Sequence, residues 1–222
     1  MIDSRYLLDD EAMRRFIIDG FVSVNTDLLR SHHDDIHRRL EQLRETHGAL
    51  GNNVLPLVPE IGQVFDDPAV RGALESILGE EYTMHSHRYC HANQPGSSGQ
   101  SMHKDSYEGD EQLRHHRCRW AMAFYYPHDV TLDMGPTSVL PASQYYETEA
   151  SANLRPEHPL VGEAGTVVVV HYDLWHRAMP NESDQDRYML KFLFPRLEEP
   201  RQPAWNCRSQ HWISHTGEYA DE

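Results

Sequence analysis

Apolar residues recur at α-helical spacing in three segments within the first 80 residues. These segments carry end signals, because Asp9 and Asp10 can cap the first, Asp67 and Pro68 open the third, and a glycine follows all three. We predict a short strand over residues 21–24 and a loop over residues 48–64. The predicted apolar stripes are Met13, Phe16 and Ile17, then Leu28, Leu29, Ile36, Leu40 and Leu43, and finally Val70, Leu74, Ile77 and Leu78.

After about residue 80 the pattern changes to short runs that are typical of β-strands. The predicted strands cover residues 82–91, 117–126, 138–140, 166–171 and 188–194. Residues 93–102 are rich in turn formers and predict a loop that leads directly into His103. Helices followed by antiparallel strands indicate a mainly β fold with flanking α-helices, in the form of a double-stranded β-helix of the jelly-roll or cupin type.

The length of 222 residues suits one domain with a large buried core. We predict a single domain over residues 1–222. It has a mainly helical part over residues 1–80, the β-helix core over 81–196 and a C-terminal tail over 197–222. The tail shows no clear hydrophobic period, so its structure stays open.

The net charge of −15 argues against nucleic-acid partners, which require concentrated lysine and arginine to neutralise phosphates. The one dense basic cluster, residues 114–119, is typical of a solvated surface run. Contact with an anionic substrate is the alternative interpretation of this cluster.

The three cysteines, Cys90, Cys118 and Cys207, are odd in number and show no metal-binding spacing. This usage favours a reducing compartment. No stretch approaches the ~18 to 20 apolar residues that a membrane span needs, and the N-terminus lacks the pattern of a signal peptide. We therefore expect a cytoplasmic protein that does not insert into a membrane.

The candidate chemistry begins at His103 and Asp105, which flank Lys104. Residues i and i+2 of an extended segment point the same way, so both side chains can bind one ion. His176 follows 71 residues after Asp105 (176 − 105) and completes the two-histidine, one-carboxylate set of a facial Fe(II) site. Arg187, eleven residues later (187 − 176), offers a planar fork for a carboxylate.

Other histidines compete for these roles, because the chain holds sixteen. His171 ends the apolar run of residues 166–170 and is the alternative third ligand. His85, His87, Tyr89 and His91 alternate, so we expect them to share one face of a strand. Two of these histidines could bind a second metal, but a role in lining the substrate pocket is the better interpretation.

Three segments resemble the phytanoyl-CoA dioxygenase family of Fe(II)- and 2-oxoglutarate-dependent oxygenases. Residues 165–187, from Gly165 through His176 to Arg187, look like its second signature. Residues 134–143 resemble its glycine- and proline-containing turn, with Met134, Ala142 and the following Gln144 departing from the usual residues. Residues 16–24 resemble its opening helix, glycine and strand. The order and spacing of these motifs are far more specific than a lone His-x-Asp.

The resemblance implies the same double-stranded β-helix and an Fe(II) site made by His103, Asp105 and His176. It also implies that 2-oxoglutarate chelates the iron while Arg187 pairs with its distal carboxylate, and that O2 is consumed with release of succinate and CO2. Many relatives have a small hydroxyl residue two places after the distal histidine, where this chain has Ala178. The replacement contacts that we consider are Gln100, Trp120 and Thr137.

The expected reaction is the hydroxylation of an unactivated C–H bond in a small molecule, with desaturation and ring closure also open. The acidic balance favours a neutral or cationic substrate over a coenzyme A thioester, because phosphate ligands usually need basic anchors. A cupin-type metalloenzyme without 2-oxoglutarate, or a non-catalytic metal- or ligand-binding relative, is the alternative. The oligomeric state and the identity of the substrate are not encoded in any pattern that we recognise.

Overall fold

The computed structural model describes residues 2–105, 118–152 and 155–198. Helices dominate the first 80 residues. A 3₁₀ turn, Ser4–Tyr6, precedes α1 (Asp10–Asp19), and α2 (Arg30–His47) follows the first strand. A second 3₁₀ turn, Gly51–Asn53, then leads into α3 (Val54–Leu57), α4 (Ile61–Asp66) and α5 (Pro68–Leu78).

The caps of these helices follow the sequence signals. The Asp9 side chain accepts from the backbone N–H of Ala12, and Asp67 accepts from that of Ala69. Gly20 ends α1 with a φ of 86°, a left-handed conformation that costs glycine little. The three predicted helices are thus confirmed.

Two apolar residues of the predicted stripes do not reach the core. Ile17 is 63% exposed and Leu29, the residue before α2, is 77% exposed. In α1 the fully buried position is Phe16 alone, so the buried face is narrower than the pattern indicated. Scattered exposed apolar residues are normal on protein surfaces.

The loop predicted over residues 48–64 is wrong. This segment holds the second 3₁₀ turn, α3 and the start of α4, and its apolar residues pack in the core. Val54, Val58 and Ile61 recur at helical spacing and are fully buried. Pro56 and Pro59 concealed this period, because proline normally argues against helix interiors.

Eight strands of the described chain form two antiparallel sheets. The large sheet has the order β1-β6-β3-β8-β2 and the small sheet the order β5-β4-β7. Short helical elements, Leu132–Met134 and α6 (Glu149–Ala152), lie between strands. The strands are β1 (Phe21–Asn25), β2 (Arg88–Asn93), β3 (Trp120–Tyr125), β4 (Thr137–Val139), β5 (His158–Pro159), β6 (Thr166–His171), β7 (His176–Ala178) and β8 (Arg187–Pro195).

The predicted strands agree with the structure best where the sequence is continuously apolar. β6 has the predicted bounds, and β1, β3, β4 and β8 differ from prediction by one to three residues at an end. The strand predicted over residues 82–91 is wrong in its first half, because β2 begins at Arg88 and Tyr82 makes only an isolated bridge with Arg196. The sequence did not predict β5 and β7, since neither short strand, His158–Pro159 or His176–Ala178, contains a run of apolar residues.

The large sheet is buried on both faces. One face packs against the helices, and the other faces the small sheet across a second apolar cluster. This explains why β3, β6 and β8 are nearly continuous apolar runs rather than alternating ones. The two facing sheets confirm the mainly β fold of the double-stranded β-helix type, and its interior is where the candidate site lies.

Candidate metal and co-substrate site

The structure brings His103, Asp105 and His176 together. One ligand atom from each of the three residues lies within 4.8 Å of the other two, the arrangement that a single metal ion requires. His103 Nε2 is 3.9 Å from Asp105 Oδ1, and His176 Nε2 is 3.8 Å from Asp105 Oδ2. Within the described residues this is the one such group of three or more His, Cys, Asp or Glu side chains.

The two histidines are held by their own backbones. His103 and His176 lie opposite each other in an antiparallel bridge and exchange both N–H···O bonds, each 2.9 Å long. His176 is also the first residue of β7, where it pairs with Val139 of β4. The two imidazole centroids are 4.6 Å apart and the ring planes are tilted by 50°, so both rings border the same small space.

Backbone carbonyls fix the tautomer of both rings. His103 Nδ1 lies 2.8 Å from the carbonyl oxygen of Ser101, and His176 Nδ1 lies 3.0 Å from that of Leu174. Since a carbonyl only accepts, each Nδ1 carries the proton and each Nε2 keeps its lone pair. Burial also lowers the pKa of His176 to about 4, so its ring is neutral at physiological pH.

Asp105 is buried, 8% exposed, and is paired with a lysine. Its Oδ2 accepts a hydrogen bond from Lys191 Nζ at 2.6 Å, and its backbone carbonyl accepts one from the Tyr172 hydroxyl at 2.8 Å. Burial alone would raise the pKa of Asp105, but the Lys191 ammonium group, by its charge and its hydrogen bond, lowers it below its ordinary value overall. The carboxylate is therefore ionised and ready to bind a cation.

His171, the alternative third ligand, lies outside this group. Its Nδ1 accepts from the backbone N–H of Asp173 at 3.2 Å, and its ring packs against Phe16 and Tyr145. Lys104 points away from the ligands, as its position between them requires, and donates to the carbonyl of Gln144. The geometry therefore favours His176 over His171.

Arg187 is the first residue of β8 and is 1% exposed. Its Nε and Nη2 both donate to the carbonyl oxygen of Gly135, at 3.1 and 3.0 Å, while Nη1 has no hydrogen-bond partner among the described residues. The fully buried Tyr126 hydroxyl lies beside Thr137 and close to Arg187. A buried guanidinium with a free donor is costly, so this corner is suited to an incoming carboxylate.

Gly135 supports Arg187 through a backbone conformation that side chains resist. Its φ is 65°, and its carbonyl also accepts from Asn93 Nδ2 at 2.9 Å. A Cβ at this position would lie 2.4 Å from Asn93 Nδ2 and 2.6 and 2.7 Å from the carbonyl oxygens of Met179 and Pro180. Because two of these atoms are backbone, they cannot move aside cheaply.

We therefore predict that Gly135→Ala lowers the free energy of unfolding by about 2 to 3 kcal/mol, through backbone strain and overpacking together. Gly96→Ala is the matched control, since Gly96 has a φ of 75° but no heavy atom within 4 Å of the point that an added methyl group would occupy. Urea denaturation measures both variants. Equal losses would mean that the crowding around Gly135 contributes nothing.

A cavity of about 490 Å³ leads from the surface near Gly48 to Arg187. Gln100 lines it together with Tyr89, His91 and Ala178, and the Gln100 side-chain oxygen accepts from the backbone N–H of Ala178 at 3.3 Å. His91 Nε2 has no hydrogen-bond partner among the described residues, and burial lowers the pKa of this ring to about 3. Of the four alternating residues that we expected to line a pocket, Tyr89 and His91 line this cavity.

Trp120 does not lie near Arg187, in contrast to our expectation. It pairs with Pro195, eight residues along β8 from Arg187 (195 − 187), which corresponds to roughly 26 Å of strand. It packs against His85 and Tyr172 instead. Thr137, by contrast, is buried beside Tyr126, whose hydroxyl is close to Arg187, and Gln100 lines the same cavity as Arg187.

Sequence reasoning missed Tyr126 and Lys191. Tyr126 was assigned to core packing, because nothing local distinguishes it from Tyr125, which points the other way and bonds His33. Lys191 did leave a signal, since it is a charged residue in the middle of the apolar run of β8.

Some expectations concern residues that the structure does not describe. These residues are most of the basic cluster over residues 114–119, Cys207 and the tail beyond residue 198. Cys90 and Cys118 are buried free thiols, as expected for a chain without a disulfide framework. No helix in the described part of the chain is long and apolar enough to cross a membrane.

Several solved structures share this fold. HygX from Streptomyces hygroscopicus, with nickel and 2-oxoglutarate bound, superimposes with a TM-score of 0.69 at 12% identity, covering 92% of this chain and 93% of that one. AviO1 from Streptomyces viridochromogenes Tue57 gives 0.68 at 16% identity, covering 91% and 99%. SnoK, an alpha-ketoglutarate-dependent carbocyclase from nogalamycin biosynthesis, gives 0.70 at 17% identity, covering 96% and 93%.

A search of curated protein sequences finds no match. The model of one protein family, described as phytanoyl-CoA dioxygenase, matches residues 17–189. The matched residues run from α1 into β8 and include all three candidate ligands and Arg187. With well over half of its length matched, the chain belongs to the phytanoyl-CoA dioxygenase family of non-heme Fe(II)- and 2-oxoglutarate-dependent oxygenases.

Proposed function

We propose that the protein is an Fe(II)- and 2-oxoglutarate-dependent dioxygenase that hydroxylates an unactivated C–H bond of a small molecule. One observation carries this proposal. Three converging ligand side chains and a buried arginine with a free donor face the interior of the same β-helix. A cupin-type metalloenzyme that does not use 2-oxoglutarate would have no need for that arginine.

His103, Asp105 and His176 would hold the iron. Two imidazoles and one carboxylate suit Fe(II) and leave three neighbouring coordination positions for small ligands. Because both Nδ1 atoms are bound to carbonyls, the rings cannot rotate freely and present Nε2 to the same point. The residues present therefore fit the metal.

Arg187 would bind the distal carboxylate of 2-oxoglutarate. Gly135 holds two of its nitrogens, so the guanidinium is oriented before the co-substrate arrives and Nη1 remains to donate. Tyr126 and Thr137 place hydroxyl groups in the same corner and can donate to the second carboxylate oxygen. These hydroxyls compensate for Ala178, which has none.

With both groups bound, the iron and 2-oxoglutarate supply the oxidation of a C–H bond by O2, and the products include succinate and CO2. The chain orients these groups and keeps water away from them. Phe124 lies with its ring centroid 5.9 Å from that of His176, and Met189 belongs to the same buried cluster. This apolar lining protects the reaction from side reactions with solvent.

Hydroxylation is the favoured outcome because Asp105 is present. Halogenating relatives have a small residue in place of this carboxylate, which leaves a position for chloride. Ring closure is the second candidate, since SnoK, which has the same fold, is a carbocyclase. We propose a neutral or cationic substrate, because the net charge is −15 and Arg44 at the cavity is already paired with Asp186 at 2.7 Å.

The activity is tested by incubating the purified protein with Fe(II), 2-oxoglutarate and O2 and measuring succinate. We expect slow formation without substrate and a marked increase with the correct member of a panel of small molecules. Asp105→Ala should form none. Metal binding without any succinate across the panel would favour the non-catalytic alternative.

Removing a ligand should abolish metal binding. We predict that Asp105→Ala and His176→Ala each weaken Fe(II) affinity by more than about a hundredfold and lose the charge-transfer band of the 2-oxoglutarate complex, because two ligands make an incomplete facial set. Anaerobic titration measures both. His171→Ala is the control and should keep the band. Loss of the band in that variant, with retention in His176→Ala, would assign the third ligand to His171.

A further inference from the structure

Lys191 is a charged residue inside the β-helix. It lies in β8 between Met189 and Leu193, both in the inner apolar cluster, and is 9% exposed. Its cross-strand neighbours are Tyr89 of β2 and Phe124 of β3. Placing an ammonium group here is costly unless a partner compensates for it. The partner is Asp105, whose Oδ2 accepts from Nζ at 2.6 Å.

We propose that Lys191 is a positioning residue that acts as an internal counter-cation for the metal site. This inference rests on the proposed function only in taking Asp105 as a metal ligand. Lys191 occupies one carboxylate oxygen and leaves Oδ1, which faces His103 Nε2, for the ion. Asp105 then binds the metal through a single oxygen while Lys191 keeps the other.

The charge of Lys191 has opposite effects on the protein with and without the ion. Without the ion, the ammonium neutralises a buried carboxylate and so stabilises the folded chain. With the ion, the same positive charge repels a divalent cation a few ångströms away and lowers its affinity. Lys191 thus stabilises the metal-free fold but lowers the affinity of the site for a divalent metal ion.

These two effects give the proposal a distinctive test. We expect Lys191→Met to bind Mn(II) or Ni(II) roughly tenfold or more tightly than wild type, because a repulsive charge is gone. Its metal-free form should melt at a lower temperature, and saturating metal should recover most of that loss. A lysine that served only for packing would give weaker binding together with the lower melting temperature.

Three further variants make the comparison complete. Lys191→Arg keeps the charge and should bind metal as wild type does. Lys191→Gln keeps a hydrogen-bond donor without the charge, so it should bind more tightly even where Lys191→Met folds poorly. Arg44→Met is the matched control, since it removes one positive charge from an ion pair that does not include a metal ligand, and its metal affinity should not change.

The measurement is calorimetric titration of Mn(II) or Ni(II) alone into metal-free protein, with thermal unfolding before and after saturation. Tighter binding by the two neutral variants, with no change in Lys191→Arg, supports the counter-cation. Unchanged or weaker binding by folded Lys191→Gln overturns it while the proposed function stands. A wild-type protein that binds neither metal would overturn the proposed function itself.

Discussion

Replacing Arg187 with methionine should weaken the binding of 2-oxoglutarate by about 2 to 5 kcal/mol while the affinity for Fe(II) changes little. The reason is the state of the guanidinium. Arg187 is 1% exposed, already oriented by Gly135, and has a free Nη1, so the co-substrate carboxylate meets a prepared and largely water-free partner. Titration of 2-oxoglutarate into Fe(II)-loaded protein under nitrogen measures the change.

Two other variants define what the methionine result means. Arg187→Lys keeps the charge but loses the planar fork, so its affinity should fall between those of wild type and Arg187→Met. Arg44→Met removes a cation from the wall of the same cavity, but one already paired with Asp186, and should cost less than about 1 kcal/mol. If Arg187→Met binds 2-oxoglutarate as tightly as wild type, Arg187 is not the co-substrate anchor.

Mild acid should destabilise the metal-free protein. Burial lowers the pKa of His128, His171 and His176 to about 4, whereas an unfolded histidine titrates near 6.5. The unfolded chain therefore binds more protons between pH 7 and pH 5, and the free energy of unfolding falls with the pH. Each of the three groups contributes a loss of about 2 kcal/mol over this range.

Urea denaturation at several pH values checks this expectation. A total loss of that size is a large part of the roughly 5 to 15 kcal/mol by which domains are stable. His128→Gln should make the pH dependence shallower, because it removes one of the titrating rings. Asp105 does not contribute in this window, since its pKa is lowered and its stabilisation is lost only at more acid pH. A stability that is constant from pH 7 to pH 5 would contradict the prediction.

The features that the sequence predicted are those with a local cause. α1 and α5 are bounded by Asp9, Gly20 and Asp67, whose side chains or backbone freedom act within a few residues. β6 could be read from its run of valines, because a strand buried on both faces needs no polar alternation. The three candidate ligands could be proposed from the sequence because a family motif fixes their spacing.

The features that the sequence did not predict depend on distant residues. Whether Tyr126 or Trp120 lies near Arg187 is decided by the pairing of β3 with β8, which no local pattern specifies. Likewise, the hydrogen bonds from Arg187 to Gly135 join residues 52 positions apart. The sequence also did not predict the backbone of Ala142. This residue adopts a left-handed φ of 66° at a position where the family turn has a different amino acid.

The mutual backbone hydrogen bonds of His103 and His176 would couple metal binding to folding. These residues are 73 positions apart (176 − 103), so their pairing closes a long loop and carries a large entropic cost during folding. Neither imidazole has its neighbour until that pairing forms. A divalent ion held by both rings would therefore bind only chains in which this pairing has formed, and it would shift the folding equilibrium towards them.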